Sequence, residues 1–262
     1  MTDITYQDLT RRVAETARRV GQYLRRESEH FSWSRVERKQ KHDFVSYVDK
    51  TSEHMLVEAL TALLPEAGFL TEEGTAGHDG QPYCWVIDPL DGTTNFIHGY
   101  APFAISIALC HEGQPVVGVV YEVRADECYS AWRGGGAWIN GQPLHVSSHT
   151  PEEALVGVEL PYNASDYTAT GLQLISRLYG RVSGIRMVGS AAMGLAYVAA
   201  GRLEGWLERY ICPWDYMAGG LLVEEAGGRT STFSGDSHYA GGREIVATNG
   251  LLHNTLLDAL KP

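Results

Sequence analysis

The first strong pattern along the chain is helical. Leu9, Val13, Thr16, Val20 and Leu24 recur at three-to-four spacing, which predicts an amphipathic helix over about residues 6–26. Arg11/Arg12, Arg18/Arg19 and Arg25/Arg26 repeat every seven residues and form a basic stripe opposite the apolar one. Met55, Leu56, Ala59, Leu60, Leu63 and Leu64 predict a second helix over about 50–64, stopped by Pro65. The period then changes. Tyr83 to Asp88 is a short apolar run ending at Pro89, and Phe103, Ile105, Ile107 and Leu109 alternate as a half-buried strand does. Further strands are expected at about 116–123 and 127–133, and Asn140-Gly141 marks a hairpin turn. From about residue 154 the pattern alternates between strand (155–159, 185–188, 205–208, 244–247) and helix (165–179, 190–200, 214–225, 251–260). The expectation is a mixed α/β layered fold over 1–262, with halves meeting near residue 150 and no repeat or linker between them.

Composition narrows the class. With 44% hydrophobic and 20% charged residues, the 262-residue chain is too apolar for intrinsic disorder. No run approaches the roughly 20 apolar residues of a membrane span, and Arg11 and Arg12 interrupt any signal-peptide core, so a cytoplasmic protein is expected. Cys84, Cys110, Cys128 and Cys212 show no C-x-x-C spacing and read as free thiols. A net charge of −11 speaks against general nucleic-acid binding. The charge is uneven: residues 1–50 hold 11 basic and 8 acidic residues, whereas 51–123 hold 10 acidic residues and no Lys or Arg.

Candidate chemistry is densest in Trp85-Val-Ile-Asp88-Pro-Leu-Asp91-Gly-Thr-Thr-Asn95-Phe. An apolar strand delivers Asp88 at its end, Pro89 is expected to break the ladder, and a turn then brings Asp91 to the same side. Two carboxylates held so close repel unless a cation lies between them. Gly92, Thr93, Thr94 and Asn95 offer N–H and hydroxyl donors suited to an anion. Glu72 and Glu73 follow the apolar Gly68-Phe-Leu70, and Asp215 opens an apolar helix. Taken singly, these acids read as surface charge, turn formers or a helix cap. Together they make an all-oxygen set suited to Mg²⁺ rather than Zn²⁺. The basic-free stretch fits the same chemistry, because metal ions and backbone N–H groups, not a P-loop lysine, would hold a phosphate; no GxxxxGK[ST] is present.

Trp85–Phe96, Gly189-Ser-Ala-Ala192, Trp214-Asp215-x-x-Ala218-Gly219 and Glu225-Ala-Gly-Gly228 resemble the inositol monophosphatase family of Mg²⁺-dependent, lithium-sensitive phosphatases over nearly the whole chain, including Asp43-x-Val45-x-x-x-Asp49. The resemblance implies a five-layer αβαβα sandwich, usually a homodimer, with two to three Mg²⁺ per subunit. It implies that Glu72 and Asp88 with the Leu90 carbonyl hold a first metal, that Asp88, Asp91 and Asp215 hold a second, and that Glu72 reaches a weaker third. Glu73 would orient water nearby, Thr93 with Asp49 would position the attacking water, and Gly92, Thr93 and Thr94 would cradle the phosphate. Asp91, Ala191 and Glu208 would contact the substrate. The chain departs from the family pattern at Thr71, where Gly is usual, at Ser46 and at Pro213.

The expected reaction is metal-assisted hydrolysis of a small polyol phosphate by direct attack of water, with inositol monophosphate first and histidinol phosphate, fructose 1,6-bisphosphate or 3′-phosphoadenosine nucleotides as alternatives. Asp88-Pro-Leu-Asp91-Gly-Thr93 is also similar to the Asp-x-Asp-Gly-Thr of haloacid-dehalogenase phosphatases, but has one residue too many between the acids. A regulatory module that docks a nucleic acid or protein through the Arg-striped first helix is the non-enzymatic alternative.

Overall fold

The computed structural model describes residues 5–31, 36–40, 43–160 and 166–261. Helix α1 (Tyr6–His30) begins at Thr5, whose hydroxyl accepts the Asp8 N–H at 3.1 Å as an N-cap. Its stripe of Leu9, Val13, Ala17, Val20 and Leu24 is fully or almost fully buried. A hairpin of β1 (Val36–Gln40) and β2 (Asp43–Ser46) leads into α2 (Tyr47–Leu63).

Both helices cover one face of a seven-stranded sheet. Its strands run in the order β3 (Gly68–Thr71), β4 (Tyr83–Asp91), β5 (Ala104–His111), β6 (Gln114–Glu122), β7 (Glu127–Trp132), β8 (Ala137–Ile139) and β9 (Gln142–Leu144). The β3–β4 pair is parallel and the others are antiparallel. Asn140 and Gly141, both at positive φ, form the expected hairpin turn between β8 and β9.

The opposite face of this sheet packs on α5 (Ala191–Ala199) and α6 (Pro213–Glu225). Those helices also cover a five-stranded sheet ordered β11 (Gly184–Arg186), β10 (Leu155–Val158), β12 (Gly205–Arg209), β14 (Glu244–Thr248), β13 (Arg229–Ser231). Helices α4 (Asp166–Leu178) and α7 (His253–Leu260) close its outer face. The succession of helix pair, sheet, helix pair, sheet and helix pair is the expected five-layer αβαβα sandwich. Among the described residues no helix is long and apolar enough to cross a membrane.

Three expectations change. β5 is buried on both faces rather than half-buried: Ile105, Ile107 and Leu109 face α1 and α2, while Ala104, Ser106 and Ala108 face α6, with the Ser106 hydroxyl donating to the Trp214 carbonyl at 2.9 Å. The small residues mimic a solvent face in sequence, yet they allow a helix to approach closely. The Arg stripe is not one solvated face either. Arg18 reaches Asp126 (3.2 Å) and Asn140 (2.6 Å), Arg25 donates to the Val123 carbonyl, and Arg11 pairs with Glu15. Arg18 and Arg25 flank the apolar stripe, leaving Arg11, Arg12, Arg19 and Arg26 exposed. Finally, the helix expected from residue 165 is α4 from Asp166, Ser165 lying outside the described residues.

Candidate active site and metal centre

β4 does not end at Pro89. Pairing with β5 runs through it, with Asp88 opposite Ser106 and Asp91 opposite Ala104, so three steps on β4 match two on β5. That extra residue is a bulge. Residues three apart in a regular strand point to opposite faces, and one inserted residue returns Asp91 to the side of Asp88. The bulge therefore achieves what a turn was expected to do. Gly92 follows at φ +87°, a conformation that favours glycine, and caps the one-turn helix α3 (Thr93–Ile97).

Other layers bring the remaining groups to the same place. β3 pairs in parallel with β4 as far as Thr71–Ile87, and the Glu72 N–H continues to the Ile87 carbonyl, so Glu72 leaves its strand beside Asp88. Asp215 lies in the first turn of α6, its carboxylate accepting the Cys212 N–H at 2.7 Å. The N-terminus of α5 supplies Ser190 and Ala191, and β12 supplies Glu208. Together with β4 and α3 they line a cavity of about 350 Å³. Of the residues expected to act, Glu72, Asp88, Leu90, Asp91, Gly92, Thr93, Thr94, Ala191, Glu208 and Asp215 all line it. Its described lining holds six carboxylates and no Lys, Arg or His.

Burial first, then the charges of Glu72, Asp91 and Asp215, hold the Asp88 carboxyl well above the usual carboxylate range. Burial raises Asp91 to about 6, opposed by the Ser190 hydroxyl and the N–H groups of Ala192, Ala191 and Gly92. Asp215 is raised by burial and by Asp91, and Glu208 by burial and by Glu159, Asp215 and Asp91. One Glu208 oxygen is buried with no hydrogen-bond partner. Among the described residues no three acid, His or Cys groups are already drawn in as a metal cage, and three of the acids hold local N–H groups instead, Asp88 that of Leu90, Asp91 those of Ala191 and Ala192, and Asp215 that of Cys212. As a donor set, buried carboxylates with a nearby carbonyl suit a hard divalent cation, whose charge would reverse the raised carboxyl values.

Asp49 and Glu73 stand outside the lining. Asp49, on α2, lies behind Thr93, whose hydroxyl is 3.1 Å from its carboxylate and 2.9 Å from the Leu90 carbonyl. Glu73 is tied through its N–H to Glu53. Two supporting groups, Glu53 and Glu159, are not singled out in the sequence, and Asn95, expected as an anion donor, has a bracing role instead. Glu53 anchors the loop after β3. Asn95 donates to the carbonyls of Pro102 (2.8 Å) and Val188 (3.0 Å), joining α3 to the segment before α5. Glu159, buried at the cavity wall, accepts the Gly189 N–H at 2.9 Å and that of Val188. Glu159 carries the same signal as Asp88, an acid at the end of an apolar strand.

Comparison with known proteins decides the lineage. The profile of the inositol monophosphatase family matches residues 6–261. The chain belongs to the inositol monophosphatase family. It is 38% identical over 252 residues to an inositol-1-monophosphatase of Mesorhizobium japonicum (95% of this chain, 94% of that protein). It is 40% identical over 252 residues to the Nus factor SuhB of Pseudomonas aeruginosa (94% and 93%). The crystal structure of the extragenic suppressor protein SuhB of Bartonella henselae superposes with a TM-score of 0.90 at 36% identity, covering 94% of this chain and 96% of that one. Inositol monophosphatases are generally metal-dependent phosphatases, which accords with the acid-lined cavity.

Proposed function

We propose that the protein is a Mg²⁺-dependent phosphomonoester hydrolase whose first substrate is inositol monophosphate. The observation that carries this reading is the lining itself: six carboxylates converge on one cavity without a basic side chain, so a phosphate dianion can enter only with cations already present. Glu72, Asp88 and the Leu90 carbonyl would hold a first metal, Asp88, Asp91 and Asp215 a second, and Glu72 would reach a third. Bound there, Mg²⁺ supplies positive charge to the phosphoryl oxygens and lowers the pKa of bound water. Thr93, its hydroxyl held between Asp49 and the Leu90 carbonyl, positions the attacking water, and Glu73 would orient water nearby. The N–H groups of Gly92, Thr93 and Thr94 orient the phosphate.

Substrate preference follows from the opposite wall. Glu159 and Glu208 lie there together, and both repel a second phosphate while accepting hydroxyl protons. That favours a neutral polyol ring over fructose 1,6-bisphosphate or a 3′-phosphoadenosine nucleotide. Phosphate release from inositol 1-phosphate, histidinol phosphate and those two compounds, with Mg²⁺ and with EDTA, tests the proposal. The expected result is EDTA-abolished turnover highest on inositol 1-phosphate. Turnover that survives EDTA, or a trapped aspartyl-phosphate, overturns it. A homodimer is part of the same reading and is checked by light scattering.

The SuhB relatives favour a second reading, a non-catalytic role through contact with another macromolecule. Its candidate surface is Arg12, Arg19 and Arg26, the exposed second members of each pair, rather than the whole stripe. Replacing these three by Glu should alter capture of such a partner and leave phosphatase activity unchanged; unchanged capture rejects this surface.

A further inference from the structure

Helix α2 carries a second acid that faces the site from behind. Glu53 is fully buried, one helical turn beyond Asp49 on the same side of the helix. Its Oε2 accepts the Glu73 N–H at 2.8 Å, and its Oε1 accepts the Thr75 N–H at 2.9 Å and the Thr75 hydroxyl at 2.8 Å. All three donors belong to the loop that begins at Glu72. Gly74, between them, stands at φ +72° with open space where a Cβ would lie, so its backbone angle and not crowding accounts for the glycine. That left-handed residue turns the two flanking N–H groups toward one anion, as in a backbone nest.

Both carboxylate oxygens of Glu53 are engaged, each by a separate backbone donor. A glutamine can accept at one oxygen only, and its NH₂ would face an N–H. The contact therefore requires two acceptor oxygens, which is a demand beyond filling buried space. On the same helix, Asp49 holds Thr93 in the segment after β4. One rigid helix thus grips the loop of Glu72 and the start of α3, directly after Asp88 and Asp91 of β4, at points four residues apart.

We infer that Glu53 is a positioning residue which, through the 73–75 backbone, fixes Glu72 relative to the acids of β4 and so sets the metal affinity of the site. This rests on the metal-dependent reading above. Full-length wild type, Glu53→Gln and Thr75→Val are stripped with EDTA and titrated with Mn²⁺ alone by electron paramagnetic resonance, beside thermal melts and steady-state kinetics at varied Mg²⁺. Loss of an outer partner typically weakens metal binding by about 10–100-fold. Glu53→Gln should fall in that range, with kcat at saturating Mg²⁺ within a few-fold of wild type. Thr75→Val, which removes one donor and keeps the backbone contacts, should weaken Mn²⁺ binding less and in the same direction. If Glu53→Gln does not fold, a Thr75→Val protein that binds Mn²⁺ as tightly as wild type overturns the inference. So does a folded Glu53→Gln with unchanged Mn²⁺ affinity, whatever its melting temperature. Absence of Mn²⁺ binding by wild type overturns the metal reading itself, and this inference with it.

Discussion

His253 gives a stability prediction that is independent of the acid site. The residue begins α7 and is fully buried, with Nε2 2.9 Å from the Ser231 hydroxyl and Nδ1 3.0 Å from the Thr248 hydroxyl. Ser231 donates to the Thr232 carbonyl, so its oxygen can receive the Nε2 proton; Nδ1 of that tautomer accepts the Thr248 hydroxyl, whose oxygen also takes the Gly250 N–H. Both ring nitrogens are thereby satisfied in the neutral imidazole. Burial, aided by the Arg229 charge, lowers the imidazole pKa to about 4 from 6.5. Because the folded value is depressed, the unfolded chain binds the extra proton between those two values, and stability falls as pH drops through that window. The loss is about 2 kcal/mol at pH 5 and approaches about 3 kcal/mol at pH 4, at 1.36 kcal/mol per unit. Urea unfolding in EDTA at pH 7.5, 6 and 5 is compared for wild type and His253→Gln. Whatever the glutamine costs at neutral pH, the gap between the two proteins should close by about 2 kcal/mol from pH 7.5 to 5. The raised carboxyls of the cavity titrate in both proteins and cancel in the difference. Parallel pH profiles for the two proteins would refute the reasoning.

Two further predictions address packing and chemistry. The Trp206 indole lies between Gly157 and Gly194, where an added Cβ would stand 2.4 Å and 2.1 Å from its ring. Gly194→Val should therefore cost about 1–3 kcal/mol by overpacking, read as a lower melting temperature, and an unchanged melt would contradict the described contact. Asp91→Asn should lower kcat by ~10²-fold or more at saturating Mg²⁺ with an unaltered circular dichroism spectrum; wild-type turnover would remove Asp91 from the site.

The layers and the acid motif were legible in the sequence because they rest on local periodicity and on dense motifs. Leu9 to Leu24 on α1 and the run Trp85–Phe96 each carry their signal within a short window. Groups defined by contact across the fold were not legible. Ser106 and the alanines of β5 read as a solvent face, since only the approach of α6 gives small residues a buried partner. Glu53 reads as an ordinary helix acid until Glu73 and Thr75 arrive from a loop twenty residues away. The bulge at Pro89 was read as a turn, because proline weakens a ladder in either case and only the β5 register separates the two. Arg18 and Arg25 share their spacing with Arg19 and Arg26, and the sheet edge alone divides them.

The proposed function stands or falls on whether Glu72 after β3, Asp88 and Asp91 of β4 and Asp215 of α6 hold the cations that admit a phosphate. Anomalous diffraction from crystals soaked in Mn²⁺ tests it most directly. The account predicts at least two peaks in the cavity bounded by Glu72, Asp88, Asp91 and Asp215, one of them lost in Asp215→Asn. A cavity without a peak at a saturating Mn²⁺ concentration, or peaks indifferent to that substitution, would contradict it.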